Sequence, residues 1–159
     1  MDPLSLDRFQ GPDGKLRLVE ALRAQSLVRD EDLAVELARH VTLKAIRAGM
    51  VLITQDAADR DLFLILSGTF SVIVNGRIVA SRSAGEHVGE MAVVDPKAHR
   101  SASVVAVTDC VVASITELQF SMLADRYPRL WRSIALELAS CLRDGNELRV
   151  ATTKASRAV

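Results

Sequence analysis

The sequence predicts an α+β domain that is mainly β, an antiparallel β-barrel or double-sheet jelly roll with helices before and after it. Between about Thr42 and Ile115, short segments rich in Val, Ile, Leu and Phe alternate with turn residues, the pattern of many short antiparallel strands. Inside that stretch Asn75-Gly76 separates Ser-Val-Ile-Val from Arg-Ile-Val. Both central residues tolerate φ > 0, so the pair marks a two-residue hairpin. On either side the apolar residues recur every three to four positions, which is the helical period.

Taken in order, residues 1–14 carry Pro3, Gly11, Pro12 and Gly14 without a sustained period and read as a loose lead-in with a short helical piece around Leu4 to Phe9. Residues 15–41 hold the N-terminal helices. Lys15 to Gln25 brings Leu16, Val19 and Leu22 to one face, and Asp30 is placed to cap a second helix with Leu33, Leu37 and Val41 inward. The β region, 42–115, divides into Thr42–Arg47, Val51–Thr54, Leu62–Leu66, Thr69–Val74, Arg77–Ser81, Ala102–Val107 and Cys110–Ile115. Residues 116–150 return to helix. Thr116 with Gln119 forms a capping box for Glu117 to Arg126. After Pro128 an apolar stripe follows, from Leu130, Ile134 and Leu138 to Cys141 and Leu142. Gly145 weakens this helix by about 1 kcal/mol relative to alanine, which favours a bend or early end there. Residues 151–159 read as a frayed tail.

The totals bound the function. A chain of 159 residues, 49% hydrophobic and 25% charged, fits one folded domain. Twenty basic against twenty acidic residues give a net charge of +0, so there is no global pull toward nucleic acid or an anionic membrane. No basic-then-apolar leader and no membrane-length apolar run appears, and a cytoplasmic protein is expected. Cys110 and Cys141 lack metal spacing and read as buried free thiols. His87 and His99 have no third ligand at useful spacing, and His40 lies in a helical pattern. All three read as surface or hinge histidines, without a metal site. Ser101, Ser103 and the cysteines sit in no nucleophile–base motif, so neither an enzyme nor a prosthetic group is expected.

One stretch, residues 85–104, breaks the strand rhythm. It has two glycines four positions apart, Gly85 and Gly89, each followed by a glutamate, then a short apolar run ended by Asp95-Pro96, then Arg100-Ser101-Ala102. Gly89 lets backbone approach a ligand closely, and the N–H groups after it can meet an anion. Arg100 offers a planar, permanently charged fork to a phosphate. Glu90 repels a phosphate but can accept from a sugar hydroxyl, and a ligand with both is a nucleotide.

Gly89-Glu90-Met91-Ala92, with Arg100-Ser101-Ala102 eleven positions after Gly89, resembles the phosphate-binding cassette of the cyclic-nucleotide-binding domain family. That family includes the catabolite activator protein, the protein kinase A regulatory subunits and the cyclic-nucleotide-gated channels. The resemblance runs from the first helix to about residue 150. Gly49 and Gly68 match the family's turn glycines, while Asp56 and Val88 stand where the family often has a glycine and a bulky aromatic.

The resemblance implies a site of Gly89, Glu90, Met91, Ala92, Arg100, Ser101 and Ala102, with cAMP or cGMP as ligand. Arg100 would clamp the cyclic phosphate, and Glu90 would take the ribose 2′-hydroxyl or form an ion pair with Arg100. Ala92 N–H and Ser101 would reach the phosphate. Register with the family puts the C-terminal base contacts on Gly145 and Asn146, of which Asn146 can hydrogen-bond a purine edge. It further implies a stand-alone sensor whose last helix moves on binding and signals to a separate effector protein. A homodimer through that helix and packing on the chain's own barrel both stay open. No DNA-binding segment, channel or kinase follows within the 159 residues. The rival reading is a protein-interaction module that keeps the fold without the nucleotide.

Overall fold

In the computed structural model, which describes residues 6–157 and side chains as far as residue 145, eight strands form two four-stranded antiparallel sheets. They are β1 (Thr42–Ile46), β2 (Val51–Ile53), β3 (Leu62–Ser67), β4 (Thr69–Val74), β5 (Arg77–Ser83), β6 (His87–Val88), β7 (Ser103–Ala106) and β8 (Cys110–Ile115). One sheet has the order β1-β8-β3-β6 and the other β2-β7-β4-β5. This is the jelly-roll form of the expected architecture, two facing sheets rather than one closed barrel. A 3-10 turn (Leu6–Phe9) and helices α1 (Gly14–Arg23) and α2 (Glu31–His40) precede the sheets, α3 (Glu90–Val94) interrupts them, and α4 (Glu117–Arg126) and α5 (Arg129–Arg157) follow.

Alternation explains why the first sheet is central. Leu62, Leu64 and Leu66 of β3, with Val111, Ala113 and Ile115 of β8, pack in one cluster against the helices. Phe63 and Ile65, with Cys110 and Val112, pack against the second sheet through Phe70, Val104 and Ile53. Both faces of these strands are apolar because both faces are covered. The helix boundaries follow from their caps. Asp30 accepts from Leu33 N at 2.9 Å, and Thr116 and Gln119 form the reciprocal capping box. Phe120 and Trp131 meet edge to face at 5.5 Å where α4 packs on α5.

Several expectations need correction. α1 buries Leu18 and Leu22 while Leu16 faces solvent, because the i, i+4 pair rather than the i, i+3 series points at the core. Two residues inside the cassette stretch, His87 and Val88, pair with β3 as a short strand. The C-terminal stripe is buried at Leu130 and Ile134, half-covered at Leu138 and exposed at Cys141 and Leu142, since α5 outruns the body it packs on. Only Cys110 is therefore a buried thiol, and burial raises its pKa. The α5 backbone stays helical through Arg157 where a tail was expected to begin at 151. One glycine costs about 1 kcal/mol, too little to end a helix flanked by good helix formers.

Candidate functional site

The stretch that breaks the strand rhythm lines a cavity between the second sheet and the segment from β6 to α3. Its apolar wall is Ile53, Val72 and Val104. Gly89, Glu90, Met91 and Ala92 form one lip, and Arg100, Ser101 and Ala102 another. Seven of the eight expected site residues thus surround one space. The side chain of the eighth, Asn146, lies outside the described residues, and Gly145 is not in the wall.

Arg100 is 3% exposed, and its surroundings explain how a charge survives there. Its backbone is pinned to the loop before β3, N to Ala57 O and O to Asp56 N, both 2.8 Å. Asp56 has φ +70, so it takes up the left-handed turn that the resembled family usually gives to glycine. From the same loop, Asp59 Oδ2 accepts from Arg100 Nη2 at 2.8 Å and Nε at 3.3 Å. Asp61 O accepts from Nη2 at 2.7 Å, and Gly89 O from Nη1 at 3.3 Å. Four of the five guanidinium hydrogens are used, and one Nη1 hydrogen has no acceptor among the described residues. Asp59 is 52% exposed, so it neutralises the guanidinium from a position from which it can swing away.

Gly89 fits this geometry and no larger residue would. It adopts φ +94, and a Cβ there would lie 2.7 Å from Asp61 O and 2.8 Å from Arg100 Nη1. Glu90 is half-buried and makes no ion pair with Arg100, whose charge goes to Asp59 instead. Among the described residues its carboxylate has no ion-pair partner, and the residue lies at the cavity edge.

Sequence reasoning missed Asp59, Arg82 and His87. Arg82, on β5, lines the cavity beside the cassette. It faces inward because β5 carries one extra residue between Ile78 and Ala80, which sets Arg82 opposite the buried Phe70. His87, read from the sequence as a surface or hinge histidine, is 5% exposed. Its Nε2 lies 2.9 Å from Glu137 Oε2 on α5. The hydrogen bond from His87 holds the Glu137 carboxyl below its usual pKa, against the opposing effect of burial. His99 is exposed, with Nδ1 2.8 Å from Asp56 O. A second cleft lies beneath α5, lined by Glu137, Leu138, Ser140 and Cys141. It shares Arg82, His87 and Glu90 with the cavity. The part of α5 beside the site is therefore some two turns earlier than Gly145.

Among the described residues no helix is long and apolar enough to cross a membrane. In sequence, the chain is 46% identical over 143 residues to the Pycsar effector protein BcPycTIR of Burkholderia cepacia, a match covering 89% of this chain and 47% of that protein. It is 42% identical over 144 residues to PaPycTIR of Pseudomonas aeruginosa, covering 90% and 47%. The chain thus spans about half the length of these curated relatives. In structure, the Catabolite Activator Protein of Thermus thermophilus superposes with a TM-score of 0.69 at 26% identity, over 77% of this chain and 59% of that one. The regulatory domain of Toxoplasma gondii PKA, solved with cAMP, gives 0.63 at 24% identity, over 72% and 46%. The family model described as Cyclic nucleotide-binding domain matches residues 43–127, more than half of the chain, and the chain belongs to that family.

Proposed function

We propose that this domain binds a cyclic nucleotide, cAMP or cGMP, in the cavity around Arg100 and reports its occupancy through α5. The observation that carries the reading is the buried guanidinium of Arg100, held at the cavity wall with one Nη1 hydrogen unpaired. A phosphate arriving there completes the set, and Asp59, half in solvent, yields to it. Glu90, without a cation partner among the described residues, takes the ribose 2′-hydroxyl. Ser101 reaches the phosphate from one lip and Ala92 N–H from the other, once it leaves Gly89 O, to which it donates at 3.3 Å in the free domain, and Met91 and Ala102 close the wall.

The domain is regulatory in this reading, and the chemistry or contact it controls lies elsewhere. The relatives are named effectors and are about twice as long as the matched region, so the output sits on a further segment of the protein or on a separate effector protein. The nucleotide biases α5 between arrangements by its differential affinity for them. Leu142, exposed on α5 beyond the buried part of its stripe, offers a contact for self-association.

Calorimetric titration of cAMP and cGMP into the wild-type chain and Arg100→Leu tests the reading. The variant should bind at least about tenfold more weakly, since a hydrogen bond to a charged group contributes about 1.5–3 kcal/mol. Unchanged binding by a folded variant would overturn the role of Arg100. No heat from the wild type at millimolar ligand would favour an interaction module with the same fold.

A further inference from the structure

Arg82 is left without a task when Arg100 takes the phosphate and Glu90 the ribose, yet its place in the cavity wall is built. β4 pairs Phe70 with Arg82 and Val72 with Ala80 on β5, and it pairs the same two residues with Ala106 and Val104 on β7. Residues paired directly across strands share a face. Phe70, Ala106 and Val104 are buried between the sheets, so the register aims Arg82 inward, where it lines the cavity with Val72 and Val104. Arg82 stands level with Ala106, two strand spacings or roughly 10 Å away across β4, whereas Arg100 precedes the opposite end of β7. Glu90 and Arg82 border both the cavity and the cleft beneath α5, and Arg100 borders the cavity. Phosphate at Arg100 and ribose at Glu90 therefore leave the base for Arg82.

In the free domain this guanidinium is weakly committed. Nη1 donates to Ser81 O at 3.0 Å. Nε stands 4.0 Å from Glu86 Oε2, beyond hydrogen-bond length, and Nη2 has no acceptor among the described residues. The side chain is 32% exposed, so water serves its remaining donors and a ligand can replace that water. We infer, given the nucleotide reading of the cavity, that Arg82 reads the base and selects a keto oxygen over an amino group at the edge away from the sugar.

A guanidinium has donors and no acceptor. Guanine presents O6 and N7 side by side as acceptors, and uracil presents O4 as thymine does. Adenine and cytosine put an amino donor at the same place. An amino group turned to Arg82 meets a second donor and does not recover the hydrogen bond it gave up to water. The neighbouring side chains do not correct this. Ile53, Val72 and Val104 are apolar, and Glu90 is given to the ribose. Glu86 and Glu137 line the cleft rather than the cavity. The first is held by Ser83 N at 3.0 Å, the second by His87 Nε2 at 2.9 Å and Ser26 Oγ at 3.2 Å. The ligand is then a cyclic nucleotide with a keto base: cGMP rather than cAMP or, with a smaller ring, cUMP rather than cCMP.

Calorimetric titration of cGMP, cAMP, cUMP and cCMP into the wild-type chain, Arg82→Met and Arg82→Gln tests this, with thermal melts to confirm that each variant folds. A keto nucleotide should bind the wild type about tenfold more tightly than its amino counterpart, the discrimination a paired arginine gives. Arg82→Met keeps an apolar stem and removes the donors. It should weaken the keto nucleotides about tenfold, leave the amino ones nearly unchanged and so erase the preference. Glutamine carries an acceptor beside its donor, the pairing that suits adenine, so Arg82→Gln should bind cAMP more tightly than Arg82→Met does. A preference confined to the purine or to the pyrimidine pair supports the role of Arg82 and identifies the ring that fits. An equal loss of all four nucleotides in the variants would make Arg82 a general attractor of anions and overturn that role. So would a wild type without the preference, or a folded Arg82→Met that retains it. Arg100→Leu, by contrast, should weaken every nucleotide alike without changing their order. If the wild type takes up none of the four, the nucleotide reading falls and the role of Arg82 with it; binding without ranking sinks the role of Arg82 alone.

Discussion

The two sheets are built from similar residues but serve different ends. β3 and β8 of the first sheet are buried along their whole lengths, with helices on one face and the second sheet on the other. The second sheet is covered on one face only. Its edge strand β5 is largely exposed, and its inner face supplies the apolar cavity wall of Ile53, Val72 and Val104. A sheet packed on both sides has no room for a ligand and no surface free to face one. The covered sheet is the scaffold, and the half-covered sheet, joined to the cassette, is the wall of the proposed binding site.

The largest effect should come from the scaffold. Leu64, 1% exposed, points from β3 into the helix-facing cluster, and Leu64→Ala should cost about 2–5 kcal/mol of unfolding free energy. Urea denaturation measures this. Nucleotide affinity of the folded fraction should change little, because the residue faces away from the cavity. A variant that kept its stability and lost affinity would reverse the roles of the two sheets.

A smaller loss of stability but a larger loss of binding is expected at Gly89. Alanine there must hold φ near +94, at a cost of about 1–2 kcal/mol. Its Cβ would also crowd Asp61 O and Arg100 Nη1, at 2.7 and 2.8 Å. Both the guanidinium and the backbone at Asp61 must shift to make room. Thermal melts and calorimetry on Gly89→Ala should therefore show affinity falling by more than the stability loss accounts for. Equal losses would mean that Arg100 is placed by its own loop alone.

These two positions also show what sequence can convey. The strand rhythm, the Asn75-Gly76 hairpin and the Thr116–Gln119 capping box rest on local chemistry, and local chemistry is written in neighbouring residues. That the cassette residues come together around one cavity was legible for a related reason, since their types and spacing resemble a family pattern. Arg82 was hidden by a single residue. Counted outward from the hairpin turn without a bulge, Ser81 would oppose Phe70 and Arg82 would face water. The extra residue in β5 reverses that assignment. His87 was hidden because it meets Glu137, fifty positions away on α5, and pairing over such a distance leaves no local pattern. Asp59 was hidden because nothing in a loop of several acidic residues says which one turns inward to Arg100.

The smallest effect tests the uncovered face of the second sheet. Ile78 is 70% exposed and lies opposite Ile73 across β4, on the face away from Phe70 and the cavity. Ile78→Thr keeps the β-branch that suits a strand and removes little buried apolar area. Its stability should stay within about 0.5 kcal/mol of wild type, as for most surface substitutions, and nucleotide affinity should be unchanged. Urea denaturation at two protein concentrations checks this. A cost that appears only at the higher concentration would show that this face is covered by another copy of the chain, and the contrast between a covered and an uncovered sheet would then hold for the monomer alone.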